Sequence, residues 1–337
     1  MKVQIKQVDE RIWNEEIKEI LPSKIFDAHV HTLKKDFFSN CVPEGLRIYG
    51  ECSVPAVQKK LSFLFQTRQL QFLFTGWPST DALIEKQNMY LVNCSKKYQF
   101  NFLVIVTPQF TPSYLEKIVK DKNCIGFKPY KCFSSKSDPE DAKITDYLPE
   151  HQIEIANEYG LLITLHLSKR KGISDPENID DLLYLSEKYP CVSWNLAHCG
   201  RSYFPENIEK SMRNIIRLKG RNVFFDTSAV TDRCVFEILF SEFGADYIIY
   251  GSDAPICFHR GKCVRFGYDW AFITKETHSI TASFPVEPAL LLYEQLWAMC
   301  HAIKKLKFSK KQANEIFFEN AEKVIKKVKS SKRKHLC

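Results

Sequence analysis

An α/β fold is predicted here, and within that class a (β/α)8 TIM barrel with an N-terminal extra helix and C-terminal closing helices. Three observations predict it. Short apolar runs alternate with stretches of helical spacing along the chain, and continuous apolar strands mark a parallel sheet covered on both faces. Eight strand-helix units follow one another, the count that closes a barrel. Side chains with chemistry to offer fall at or just past the carboxyl ends of several strands, among them His29, His31, Lys128, His166, His198 and Asp253. In a barrel those ends share one mouth. An open doubly wound sheet is the alternative, and it fits less well because no glycine-rich phosphate turn follows the first strand.

Before the barrel, Val8, Ile12, Trp13, Ile17, Ile20 and Leu21 recur at helical spacing and Pro22 ends the pattern, which predicts a lid helix. Strand one runs from about Lys24 to Val30, and a long excursion from Leu33 to about Ser53 follows it. Strands are then expected at Gln71–Gly76, Phe100–Val106, Cys124–Lys128, Leu161–His166, Val192–Ala197, Val223–Asp226 and Tyr247–Gly251. Between them the spacing predicts helices over Ser79–Tyr98, Pro112–Lys122, Pro149–Tyr159, Asp175–Pro190, Pro205–Leu218 and Asp232–Phe243. Pro at first turns and Gly160 after a last turn punctuate several of them. Helices over Pro288–Lys305 and Ser309–Lys329 would complete the outer layer. The reading is one domain over residues 1–337, with the barrel at about 24–328 and a basic tail at 329–337.

Composition excludes several classes. With 45% hydrophobic and 26% charged residues over 337 positions, the chain reads as globular. Met1 to Arg11 has no apolar h-region, and no apolar run approaches the roughly 20 residues of a membrane span; a cytoplasmic location is the expectation. Twelve cysteines without a Cys-x-x-Cys pair suggest reduced, buried thiols. Much of the net charge of +8 sits at Lys323, Lys326, Lys327, Lys329, Lys332, Arg333 and Lys334, read as a solvated, frayed end. No specific nucleic acid and no membrane is expected as partner; a homo-oligomer is compatible with the sequence.

The chemistry centres on Phe26-Asp27-Ala28-His29-Val30-His31-Thr32. Strand alternation turns His29 and His31 the same way, about 7 Å apart, able to share one ion. His166 and His198 each end an apolar strand, and Asp253 follows Tyr-Ile-Ile-Tyr-Gly-Ser, where an unpartnered carboxylate would be costly. Imidazoles with a carboxylate suit zinc first, with manganese, iron or nickel as alternatives, and such a site leaves room for a reactive water. Arg201, His259, Arg260 and Lys262 gather near the same mouth, which points to a small anionic substrate. Asp226 and Thr227 read as supports behind the mouth, while His151, His278, His301 and His335 read as solvated or packing residues.

From Phe-Asp-Ala-His-Val-His through Gly-Phe-Lys-Pro, Thr-Leu-His, Leu-Ala-His-Cys-Gly-Arg, Phe-Phe-Asp-Thr-Ser and Tyr-Gly-Ser-Asp-Ala-Pro to Ile-Phe-Phe-Glu-Asn-Ala, the chain resembles the amidohydrolase superfamily. The branch it resembles most contains zinc-dependent decarboxylases and related hydrolases. In its one-metal form the resemblance implies His29, His31, His166 and Asp253 as metal ligands, with His198 beside the metal. A bound metal lowers the pKa of its water to about 7. Asp253 is then expected as general base and later acid, with His198 holding the oxygen on which negative charge develops. Decarboxylation of a ring carboxylate on the same site is the alternative reaction, and a barrel that binds without chemistry is a third reading. The resemblance also allows a second metal bridged by a carbamylated Lys128. The preferred role for Lys128 is a charged side chain that binds substrate, in company with Arg201, His259 and Arg260.

Overall fold

Eight parallel strands stand in sequence order: β1 (Lys24–His31), β2 (Gln69–Thr75), β3 (Asn101–Val106), β4 (Cys124–Pro129), β5 (Leu162–Leu165), β6 (Ser193–Leu196), β7 (Val223–Asp226) and β8 (Ile248–Ile249). The computed structural model describes residues 3–39, 43–267, 269–275 and 286–336, so His278 lies outside the described residues. β8 comes round to β1 through hydrogen bonds from Ala28 N to the Tyr250 carbonyl (3.0 Å), from Asp253 N to the His29 carbonyl (2.9 Å) and from His31 N to the Ala254 carbonyl (2.7 Å). The predicted (β/α)8 barrel is the fold observed. Its strands are apolar on both faces because each is sandwiched between the barrel interior and the helical layer.

β8 has two residues where five were expected, and side chains secure it. Asn320 Nδ2 donates to the carbonyls of Ala245 and Ile248 at 2.8 and 2.9 Å, while Gln295 Nε2 donates to those of Thr227 and Gly251 at 2.9 and 2.7 Å. Both amides are buried and come from the closing helices. Buried carbonyls left without such donors would each cost about 1–3 kcal/mol.

Some helices depart from the sequence pattern. The one expected from Ser79 starts at Ile84, because the preceding segment pairs with the loop after β1: Phe38 bridges Ala82, and Leu83 N donates to the Phe37 carbonyl at 2.8 Å. The stretch from Pro205 to Leu218 breaks into short turns around Ser211, whose hydroxyl donates to the Ser174 carbonyl. At the N-terminus Trp13 and Ile17 are buried, and Asp9 accepts from Arg260 and from Leu290 N. The expected helix there is real but shorter, Gln7–Ile12 continued by one π-type turn.

The basic end corrects its prediction. Helix Asn320–Leu336 runs through it rather than fraying, and Lys332 is buried with its ammonium donating to the carbonyls of Asp121 and Cys124. Apolar Val324, Ile325 and Val328 seat the helix on the barrel and carry the basic residues with it. A two-stranded hairpin, β9 (Gly261–Phe266) and β10 (Asp269–Thr274), occupies what had read as a loop after the eighth strand. Among the described residues no helix is long and apolar enough to cross a membrane.

Candidate metal centre

β1 delivers two imidazoles to one point. His29 and His31 lie on the same side of the strand, and their Nε2 atoms stand 3.2 Å apart. From the turn after β8, Asp253 brings Oδ1 to 3.4 Å from His29 Nε2 and 3.3 Å from His31 Nε2. All three residues are buried. Gly251 makes the approach possible, since a Cβ there would lie 2.7 Å from His29 Cβ and 3.0 Å from Asp226 Oδ1. Asp253 holds left-handed backbone at φ 61°, which costs a non-glycine residue about 1–3 kcal/mol and recurs at functional sites.

The outer nitrogens set the tautomers. His31 Nδ1 is 2.7 Å from the Gly76 carbonyl oxygen, which can only accept, so that nitrogen carries the proton. His29 Nδ1 is 2.6 Å from Asp226 Oδ2. Burial works against the Asp226 charge, but the His29 ring beside it brings the carboxyl down to about 2. Burial also holds His29 below its ordinary pKa, in the neutral form. In the neutral form of each ring, Nε2 then presents a lone pair. Burial opposes the Asp253 charge too, and what lowers that carboxyl is positive charge and N–H donation from the histidines around it; with those rings neutral, a bound cation would supply the same offset.

Three acceptors with no hydrogen between them repel one another, and a cation among them removes the repulsion. Donors held tetrahedrally about 2.0–2.1 Å from zinc lie about 3.3–3.4 Å apart, so this triangle has the size of one tetrahedral face. Two imidazoles and a carboxylate fit a divalent transition metal, and carboxylate or carbonyl partners on the far ring nitrogens are the usual support for such ligands. His29, His31 and Asp253 are the residues that could hold it. Lys128, fully buried on β4, reaches 3.1 Å from His29 Nε2. Burial pulls its pKa down to about 8 against the pull of Asp226 and Asp253, so at neutral pH it is mostly a cation beside the same acceptors.

His198 arrives by an unusual turn. Residues 198–201 all take positive φ, at 57°, 52°, 69° and 62°, and only one of them is glycine. This left-handed turn folds His198 back over His29, with ring centroids 5.2 Å apart, and sets its Nδ1 3.0 Å from the Ser228 carbonyl. Burial lowers its pKa to about 4, so the ring is neutral, Nδ1 carries the proton and Nε2 is an acceptor.

Other expected site residues are placed differently. His166 is not within the triangle; its ring neighbours are His198 at 5.2 Å and Tyr130 at 5.8 Å, and its Nδ1 is buried without a hydrogen-bond partner. Arg201, expected to bind substrate, sets its guanidinium bidentately on Glu140 (2.9 and 3.2 Å) and on the carbonyls of Leu167 and Lys169. Arg260, expected there too, contacts buried Asp9 and the carbonyls of Gln4 and Pro288. His259 packs edge-on against Tyr49 at 4.9 Å, and Tyr49 and Trp77 stand between it and His31.

Some contributors had no reading in the sequence. Ser228 places its hydroxyl 2.8 Å from His29 Nδ1 and 3.0 Å from His198 Nδ1, linking the two rings; its signal was its place just past β7 beside Asp226. Aromatic rings cover the centre: Trp77 and Tyr130 beside His31, and Tyr203 stacked on His198 at 5.8 Å. Trp270 and Phe272 of β10 pack on Tyr203 at 3.9 and 5.6 Å. The alternation of Gly261 to Thr274 about Phe-Gly-Tyr-Asp was the available sign of that hairpin.

Comparison with solved structures returns the same fold. A probable 2-pyrone-4,6-dicarboxylic acid hydrolase of Acinetobacter baumannii, with citric acid bound, is 15% identical over 90% of this chain and 99% of its own, with a TM-score of 0.56. The 5-carboxyvanillate decarboxylase of Novosphingobium aromaticivorans, with manganese and 4-hydroxy-3-methoxy-5-nitrobenzoic acid, is 15% identical over 90% and 96% of the two chains, TM-score 0.54. An amidohydrolase of Burkholderia multivorans with bound zinc is 11% identical over 90% and 99%, TM-score 0.58. At these identities the likeness is one of fold. No curated protein sequence matches the chain. The amidohydrolase family model matches residues 27–327, a span that takes in both histidines of β1, the aspartate after β8 and every strand between them. The chain belongs to the amidohydrolase family.

Proposed function

We propose that this chain is a metal-dependent hydrolase acting on a C–N or C–O bond of a small anionic molecule, with zinc as the first candidate metal. The observation that carries the reading is the convergence of His29 Nε2, His31 Nε2 and Asp253 Oδ1 at 3.2–3.4 Å. When bound there, a divalent cation supplies the Lewis acidity that makes water a nucleophile at neutral pH. Asp253, ionised in the resting site, accepts the nucleophile's proton and returns it to the leaving group. His198 orients the water as an acceptor at Nε2, because its Nδ1–H is engaged at Ser228. Lys128 then takes the role of balancing negative charge that develops on the substrate. With Arg201 and Arg260 spent inside the fold, Lys128 is also the cation assigned to the anionic group of the substrate. The aromatic cover excludes bulk water.

A second reaction on the same site, metal-dependent non-oxidative decarboxylation, is favoured by that cover. Trp77, Tyr130 and Tyr203 stand around His31 and His198, and flat rings suit a ring carboxylate as substrate. Metal content per purified chain tests the shared basis: about one equivalent, lost in His29→Ala, is expected. None after reconstitution overturns the proposal, and two would bring in a carbamylated Lys128. Turnover of lactone, ester and amide panels against ring carboxylates, read by carbon dioxide release and by incorporation of labelled water, separates the two reactions.

A further inference from the structure

Cations without carboxylate partners gather at the opposite end of the barrel from the metal centre. Lys122 and Asn123 immediately precede β4, on the face where the strands begin. The C-terminal helix crosses this face and brings Lys329, Lys332 and Arg333 up to Lys122, and these residues line a cavity of about 270 Å³. Lys332 is only 2% exposed, and its ammonium donates to the carbonyls of Asp121 (2.6 Å) and Cys124 (2.9 Å). An ammonium has three N–H donors, so one remains, and carbonyls bring no net charge to offset a buried cation.

With the described residues, Lys122, Lys329, Lys332 and Arg333 form no ion pair. The Asp121 carboxylate at the rim is engaged by Lys96 at 3.9 Å and by the N–H of Asn123 at 2.9 Å. Burial first, then the charges of Lys122 and Arg333, press the Lys329 ammonium below its ordinary pKa. Cations favour a helix C-terminus, which accounts for Arg333 but not for a buried Lys332 that is hydrogen-bonded to two carbonyls and feels the Asp121 carboxylate only through space.

We propose that this cavity binds the phosphate group of a small phosphorylated molecule. Phosphate offers several strong acceptors and up to two negative charges, which matches several N–H donors set around one hollow. The adjoining hollow shares Lys122, Asn123 and Lys329 and is lined further by Ser95, Gln99 and Asn101. Such polar walls suit a hydroxyl-bearing body, so a soluble phosphate ester fits better than a lipid headgroup with its acyl chains.

Isothermal titration of the full chain with inorganic pyrophosphate and with glucose 6-phosphate, at constant ionic strength, tests this. Saturable binding is expected in the wild type, weakened tenfold or more in Lys329→Ala/Arg333→Ala, and kept within threefold in Lys329→Arg. Matching thermal midpoints of the unliganded proteins show that each variant is folded. His29→Ala should bind as the wild type does, since the two sites lie at opposite ends. Unchanged binding in the double variant overturns the proposal, and so does loss of binding in His29→Ala. Retention on phosphatidylserine vesicles by a protein that ignores both soluble phosphates also overturns it, in favour of a membrane surface.

Discussion

The strand ends of the barrel and the loops around its mouth both supply charged side chains, and they use them in opposite ways. At the strand ends, His29, His31 and Asp253 turn ligand atoms toward a shared point, while the far ring nitrogens of the two histidines are tied to Asp226 and to the Gly76 carbonyl. In the loops, Arg201 and Arg260 direct their terminal guanidinium nitrogens at the protein, one onto Glu140 and one onto Asp9. The difference teaches that residue type does not make a binding group. A side chain on a strand end inherits its direction from the sheet, whereas a loop cation serves whichever carboxylate the fold brings to it first.

Substitutions can break or sharpen that contrast. The largest effect is expected at the strand ends: Asp253→Ala should lose bound metal, read by elemental analysis, and lower turnover by about a thousandfold or more, with the fold retained. Next comes the loop pair Asp9–Arg260, whose members are 0% and 8% exposed. Asp9→Ala leaves a buried guanidinium unpaired and should cost about 3–5 kcal/mol in denaturant unfolding without changing metal content. A cost below about 1 kcal/mol would return Arg260 to the substrate-binding residues.

Asp226→Asn keeps its shape but removes the charge that holds His29 in its tautomer, and should weaken metal affinity about 10–100-fold with little change in thermal midpoint. Arg201→Ala is expected to be milder, about 1–3 kcal/mol, because the Glu140 side chain is 26% exposed and water can reach it. The KM for the anionic substrate should stay the same. A raised KM at unchanged stability would erase the contrast between loop and strand.

The smallest effect is a matter of pH. Burial would raise the Glu140 carboxyl, but Arg201 and Lys131 hold it below its ordinary value. A carboxyl lowered by folding adds stability above its unfolded pKa and loses it as the pH falls through the folded one. The stability gap between wild type and Glu140→Gln should therefore be full above the ordinary glutamate pKa and close as the pH falls through the lower, folded one. A gap independent of pH would mean that the clasp works through packing rather than charge.

Local pattern carried the sequence reading a long way. The eight strands, His29 and His31 on one face, and the placing of Lys128, His198 and Asp253 at the mouth all follow from alternation and from the rule that barrel strand ends converge. These depend on neighbours a few residues apart. The missed hairpin at 261–274 had a local sign too, but its strands lie outside the barrel count and had no helix between them.

What only the tertiary structure decided depends on partners far off in the chain. His29 meets Asp226 across 197 positions, Arg260 meets Asp9 across 251, and Arg201 meets Glu140 across 61. The same holds for the basic end, where Lys332 finds the carbonyls of Asp121 and Cys124 and becomes part of the barrel floor. Residue type and spacing by themselves determined the barrel and which side chains face its mouth, because strand direction is a local property of the backbone. Tautomer, charge state and availability to a ligand were left to the folded chain, because each is set by the nearest donor or acceptor in space.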